Sequence, residues 1–406
     1  MNAPSPFKPS DENEIGAFLR DRSRAGAPVF VRGGGAKAVF GKPPGPHETM
    51  LDMRAMSGVM LYEPDELVLT ARAGTTISEI VQVIAQRGQH LAFEPPEFGA
   101  LLGAGGGSTL GGVVASGWSG PRRVKAGAVR DHVLGLRAVG GDGEIFKSGG
   151  RVVKNVTGFD LPKVLTGSHG TLAVMTEITI KVMPAPEEVV TIAVFGLDDS
   201  EAIQLLCRLL GGPFDIAGAA HLPAVVAGRA GATAVAGSGA SATLIRLEGF
   251  GPSVAARSAA IDRLIAGRFE TRRLGPPESE ILWRDIRDVA PLLDQDRIVW
   301  RLSVPPTAAA ATVAKIAQAA PVEVFYDWGG GLIWLALPFK SSGHAALVRG
   351  ALPAGHAILM RASEALRATV PIFNPSARPL AELASRVKSA FDPRGVLAPR
   401  RSQADC

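Results

Sequence analysis

Only two cysteines occur in 406 residues, Cys207 and Cys406, separated by nearly half the chain. They make neither a CxxC pair nor a disulfide framework, which fits a reducing compartment. The same scarcity excludes an ordinary four-cysteine iron–sulfur cluster held by this chain alone. Long apolar runs are missing as well. The start, MNAPSPFKPSDENEI, is acidic and interrupted by proline, with no signal-peptide core, and the alanine-rich stretch 306–321 is broken before the about 20 residues needed to cross a bilayer. Charge of one sign is scarce: Lys plus Arg is 43 against 38 for Asp plus Glu, a net +5. Without a dense basic tract or interleaved aromatics, this argues against nucleic-acid binding and suits an anionic small molecule or partner equally well.

Glycine and proline are plentiful, at 48 and 30 residues, and 46% of the chain is hydrophobic. A chain of this length folds as two or three units. The pattern predicts a helix over 11–22, strands near 49–52, 58–62 and 67–71, and a helix capped by Thr75 or Thr76 that carries Ile77, Ile80, Val81 and Ile84 at helical spacing. A hairpin around GGDG, over 134–146, and a strand over 172–182 follow. MPAPEE at 183–188 marks a boundary. Beyond it come strands at VVTIAVFG, SATLIRLEG and 297–304, helices over 200–210, 253–266 and 308–319, and a hairpin around Gly329–Gly331. The last helix, 376–391, is expected to bury Leu380, Leu383 and Val387, with FDPRGVLAPR as an extended tail. The fold class is α+β. The expected domains are 1–184, itself divided near 55–58; a cap-like unit over 185–375; and a helix and tail over 376–406 that return to the first unit.

Three glycine-rich clusters carry the chemistry. Arg32-Gly33-Gly34-Gly35 follows the strand VFV, and three bare amides there suit a diphosphate, although a flexible turn would read the same way. The turn matches neither GxGxxG nor GxxxxGK[ST], which disfavours a standard NAD or ATP domain. Gly105 to Gly112 sets Ser108 and Thr109 among glycines, with Ser116 and Gly117 extending the surface, so that amides and hydroxyls can meet a large phosphate-bearing ligand. Arg122, Arg123, Lys125 and Arg130 bring positive charge, with a solvated loop as the alternative for at least two of them. Asp131 can pair with Arg130 or accept from a ribose hydroxyl. Lys154, Asn155, Thr157, Gly158 and Asp160 form a further polar group, and Gly167 to Leu172 is a small-residue turn leading into a strand. Trp118, Trp283, Trp300, Trp328 and Trp334 are mostly expected in packing.

RGGG at 32–35, STLGGVVASGWSGPRR at 108–123 and the segment from Gly127 to Glu177 resemble the flavin-binding family that includes vanillyl-alcohol oxidase and p-cresol methylhydroxylase, and within it the E subunits of bacterial glycolate oxidase. The likeness is specific over the first 184 residues and thin afterwards. It implies a two-part FAD-binding domain followed by an antiparallel α+β cap, with FAD held noncovalently, since the RGGG loop has no His or Cys. It further implies that Gly33–Gly35 and Gly107–Thr109 lie along the diphosphate, with Arg32 in the same loop. Leu110, Gly111, Gly112, Ser116 and Gly117 approach the diphosphate or flavin. Asp131, Gly170, Thr171 and Leu172 lie near the cofactor, and the Ile178 backbone lies near adenine. His132 and His169 stand near these loops without a sequence warrant for a covalent link.

The implied activity is oxidation of glycolate, or D-lactate, to the 2-oxo acid. No catalytic base stands out in the cap. His221, His344 and His356 are isolated, without the closely spaced histidines of the related D subunits. The family's closing DPxGxxNPGR pattern has Ala398 at the Asn position and Arg400 at the second Gly. These departures favour an accessory flavin subunit that works with a D-type FAD subunit and an iron–sulfur F subunit, the iron–sulfur cluster residing only in the partner. A catalytically complete enzyme and a noncatalytic assembly subunit are the alternatives. The expected location is the cytoplasm, at the inner face of the membrane through partners.

Overall fold

The computed structural model describes residues 5–43, 45, 48–151, 158–293 and 297–398. Lys154, Asn155, Thr157, Arg400 and Cys406 lie outside the described residues. The chain divides into two compact units: one made of 1–119, 128–185 and 375–406, the other of 120–127 and 186–374. The segment Gly120–Gly127, contiguous in sequence with the first unit, thus groups with the second.

In the first unit, strands β1 (Val29–Arg32) and β2 (Thr49–Asp52) pair in parallel. A five-stranded antiparallel sheet contains β3 (Val59–Glu63), β4 (Val68–Arg72), β6 (Val133–Gly140), β7 (Ile145–Gly149) and β8 (Ala173–Lys181) in the order β3-β4-β8-β6-β7. The minor pair β5 (Gln89–His90) and β9 (Met183–Pro184) completes the strands of this unit. The helix Ile77–Ala85 starts where Thr76 accepts the Glu79 amide and buries Ile77, Ile80 and Ile84, while Val81, one position round the helix from Ile80, is exposed. Those side chains join Leu69, Leu110, Val114, Ile178 and others in one core. Helix Glu12–Ala25 is fixed through Glu12, which accepts from Arg137 on β6 and from Thr176 on β8. The tail returns to this unit: Leu397 bridges Val29, and the buried Asp392 carboxylate accepts the amides of Val396 and Leu397 and pairs with Lys388 at 2.5 Å.

One expectation fails here. Helix Arg378–Phe391 has no buried residue; Leu380 and Leu383 are exposed and Val387 is only half-buried. Its apolar periodicity is that of an amphipathic helix, but among the described residues nothing buries the stripe.

The second unit is built on an eight-stranded antiparallel sheet. Its strands are β10 (Glu188–Phe195), β11 (Ile216–Leu222), β12 (Ala242–Gly249), β13 (Glu270–Leu274), β14 (Arg297–Ser303), β15 (Glu323–Asp327), β16 (Leu332–Pro338) and β17 (His356–Arg361), in the order β13-β10-β12-β11-β15-β16-β14-β17. Helices Asp199–Leu210, with an Asp198/Glu201 capping box, and Gly251–Ile265 bury Leu206, Leu209, Val254 and Ile261 against it. The sequence reading lacked β11, β13 and β17 and the helix Pro276–Asp288. β11 reads IAGAAHL, all buried, so it has no polar alternation to mark it as a strand. β13 reads ETRRL, four of its five residues exposed.

Candidate functional site

The first two glycine clusters meet. Gly34 and Gly106 lie so close that a Cβ on Gly34 would stand 1.9 Å from the Gly107 carbonyl oxygen, and one on Gly106 would stand 2.0 Å from that of Gly34. A Cβ on Gly33 would collide with Thr109 Oγ1 at 2.3 Å. Gly34 and Gly106 are therefore required by the approach of two backbones to each other, and Gly33 by the Thr109 side chain. Gly105 and Gly107 have open space where a Cβ would be.

The two loops wall a cavity that opens to solvent. Of the residues singled out in the sequence, Arg32, Gly33, Gly34, Gly35, Gly107, Ser108, Thr109, Gly112, Ser116 and His169 line it. Thr109 caps helix Leu110–Ser116 by accepting the Gly112 amide, and the chain before it is pinned by Ile77 N donating to Ser108 O and Leu110 N to Thr75 O. Leu110 is fully buried in the core, and Gly111 abuts Ala73, so neither reaches the cavity. Gly117 closes the helix at φ +68 against Gly167. Asp131 is spent locally, accepting the Ala128 amide and standing 3.8 Å from Arg130. Thr171 donates to Ser168 O; Gly170, Thr171 and Leu172 border β8, and Ile178 lies inside the sheet between Ala71 and Leu136. None of these lines the cavity.

Two polar groups give the cavity its charge. The Arg32 Nε is buried without an acceptor among the described residues. Lys37, which sequence reasoning passed over because it stands outside the RGGG motif, donates from Nζ to Ser108 Oγ at 3.1 Å. Burial pulls the Lys37 ammonium down to about 8, with Glu97 acting in the opposite direction. Glu97 also accepts the Ser108 amide at 3.3 Å. Phe40 and Trp118 pack edge-on at 4.9 Å on the apolar side, beside His169. An elongated anion fits this donor set: open glycine amides, an orphaned guanidinium nitrogen and a cation held too dry for its charge.

The remaining candidates have other partners. Arg122 is held by Glu248 at 2.7 Å and Lys125 by Asp215 at 2.6 Å, while Arg123 stacks on Trp328 at 4.4 Å. Asp160 caps the short helix Leu161–Leu165. His132 is buried against Phe93. His221, isolated in sequence, lies 3.3 Å from Asp199, whose other oxygen accepts from Tyr326 at 2.5 Å. Among the described residues no three His, Cys, Asp or Glu side chains cluster as a metal site, and no helix is long and apolar enough to cross a membrane.

Residues 6–149 match the FAD binding domain family. The chain is 32% identical over 380 residues to glycolate oxidase subunit GlcE of Escherichia coli (strain K12), an alignment spanning 93% of each protein. It is 35% identical over 187 residues, 46% of this chain and 40% of the relative, to D-lactate dehydrogenase of Archaeoglobus fulgidus. Among solved structures, p-cresol methylhydroxylase with substrate bound superposes with a TM-score of 0.68 at 12% identity, covering 98% of this chain and 88% of the other, which speaks for the fold alone. With a cavity fit for an elongated anion inside the matched domain, and near full-length similarity on both sides, the chain belongs to the p-cresol-methylhydroxylase-type FAD-binding oxidoreductases related to the glycolate, lactate and other 2-hydroxy-acid dehydrogenases.

Proposed function

We propose that the chain is an FAD-dependent dehydrogenase of short 2-hydroxy acids such as glycolate and D-lactate. The observation that carries the reading is the anion-ready cavity between the 33–35 and 105–109 loops, in a domain that matches the FAD binding family. In this reading the diphosphate lies along Gly33–Gly35 and Gly107–Thr109, where bare amides can donate without a Cβ in the way. Arg32 and Lys37 supply the compensating positive charge, and Ser108 orients the Lys37 ammonium through its hydroxyl. Phe40 and Trp118 keep water from the apolar wall. When bound, the flavin supplies a two-electron acceptor for the hydride that leaves C2 of the hydroxy acid as its hydroxyl proton departs to a base, giving the 2-oxo acid.

A second reading is favoured by one observation, the full-length similarity to a protein named as a subunit of glycolate oxidase. In it the chain is an FAD-bearing subunit in the cytoplasm, at the membrane's inner face through its partners, and turnover needs a D-type FAD subunit and an iron–sulfur F subunit. Anaerobic spectroscopy separates the two. Bleaching of flavin absorbance when glycolate or D-lactate is added to the isolated chain supports the first reading; bleaching only with partners present supports the second. No flavin in either preparation refutes both.

A further inference from the structure

The second unit buries several arginines against its sheet, and among the described residues Arg246, Arg349 and Arg361 have acceptors. Arg246, 2% exposed, lies over Trp283 and is 3.4 Å from Glu248. Arg361, 8% exposed, donates to the carbonyls of Arg297, Leu293 and Leu292. Arg349 lies over Trp300 and donates to the carbonyls of Pro371 and Phe373. Arg301 on β14 is also 8% exposed, yet among the described residues its guanidinium has no hydrogen bond and no carboxylate within 4 Å.

What surrounds Arg301 is aromatic and cationic. Its guanidinium carbon stands 5.1 Å from the Trp328 ring centre and 5.9 Å from that of Trp334. Arg123 approaches Trp328 at 4.4 Å. Burial, and then the like charge of Arg123, pull the Arg301 guanidinium down to about 10, with Asp327 opposing. The His356 imidazole is held below its ordinary value by partial burial and then by Arg301 and Arg123. Ladder register explains the grouping: Arg301 pairs with Trp334 on β16, and His356 on β17 pairs with Ser303, two residues from Arg301 and hence on the same face. A buried cation with no anion in direct contact is an unfavourable arrangement that a bound anion would relieve.

We propose that Arg301, backed by Trp328 and bordered by His356, is the seat of a ligand carboxylate on the second unit, binding the 2-hydroxy acid through its planar guanidinium. The assignment rests on the 2-hydroxy-acid reading given above. A guanidinium offers two parallel N–H donors to a carboxylate, and the indole holds its plane fixed. Cation–π contacts with Trp328 and Trp334 keep Arg301 in place when the ligand is away. Short monocarboxylates and oxalate suit it; a tetrahedral phosphate matches the paired donors less well.

The test uses the full FAD-loaded chain, titrated without oxygen with oxalate, a carboxylate that has no hydrogen to give up, and followed by tryptophan fluorescence and melting temperature. Wild type is expected to saturate and to melt higher with oxalate. Arg301→Met should weaken oxalate binding at least tenfold while melting, without ligand, no lower than wild type, because it removes an unpaired buried charge. Arg301→Lys, which keeps the charge and loses the fork, should fall between them and keeps the test decisive if the Met variant does not fold. Failure of wild type to bind oxalate, an oxalate affinity within twofold of wild type in both variants, or inorganic phosphate competing as well as oxalate would each overturn the assignment. Flavin absorbance is read in the same samples. Its absence would refute the flavin reading while leaving the oxalate result standing.

Discussion

Lys37 gives the most direct handle on the cavity, because its charge state differs with and without a neighbouring anion. In the structure its ammonium is held at about 8 by burial, with Ser108 Oγ as hydrogen-bond partner. A diphosphate beside it would favour the charged form and carry it back toward its ordinary value of 10.5. The sign follows from linkage. Above about pH 8 the empty site holds neutral Lys37 and the filled site holds charged Lys37, so binding takes up a proton and weakens as pH rises. With those two values, affinity for FAD falls about tenfold from pH 7 to pH 9, about 1.4 kcal/mol. The assay is titration of flavin-free protein with FAD at constant ionic strength, followed by quenching of flavin fluorescence. Lys37→Met should bind FAD more weakly at pH 7 and show a flat profile between pH 7 and 9. A wild-type affinity unchanged over that range, or a variant that keeps the wild-type slope, would refute the placement of the diphosphate beside Lys37.

Two glycines of the same cavity should fail differently. Gly34→Ala forces a methyl into the Gly107 carbonyl and should lower stability by about 1–3 kcal/mol in urea unfolding, whereas Gly107→Ala, with open space around it, should leave the melting temperature unchanged and weaken only FAD binding. Ala398 holds φ +37, where a Cβ is strained, so Ala398→Gly should raise stability by up to about 1 kcal/mol, read as a higher unfolding midpoint. Burial raises the Glu12 carboxyl, but hydrogen bonds from Arg137 and Thr176 override it and leave it below its ordinary 4.5. Its stabilising contribution is therefore complete above that value and is lost as pH falls through the lower folded one; Glu12→Gln should lose stability at pH 7 and less of it near pH 3.

Much of the first unit was legible in the chain because its signals are local. The Thr76 cap, the Ile77, Ile80 and Ile84 spacing and the GGDG hairpin each lie within a few residues. FDPRGVLAPR read as an extended tail from its residues, and the structure gives the reason for its aspartate: Asp392 receives the amides of Val396 and Leu397 and the Lys388 ammonium. The second unit was harder to read. β11 has no alternation and β13 is mostly exposed, and in the first unit the Leu380 and Leu383 stripe shows helix periodicity without burial. Periodicity reports amphipathicity, and burial needs a partner surface that lies elsewhere in sequence.

The sequence by itself determined that two glycine-rich loops exist, that they border strands, and that this chain cannot hold a four-cysteine cluster. Only the tertiary structure decided what each glycine is for: Gly33, Gly34 and Gly106 let one loop touch the other, while Gly105 and Gly107 face open space. It also decided which charges are spent. Arg122 and Lys125, prominent in sequence, are neutralised by Glu248 and Asp215, whereas Lys37 and Arg301, inconspicuous in sequence, stand where charge is under-compensated. The physical reason is that backbone freedom is a property of the residue type, but desolvation and pairing depend on what the fold brings within a few ångströms, and those neighbours come from distant parts of the chain.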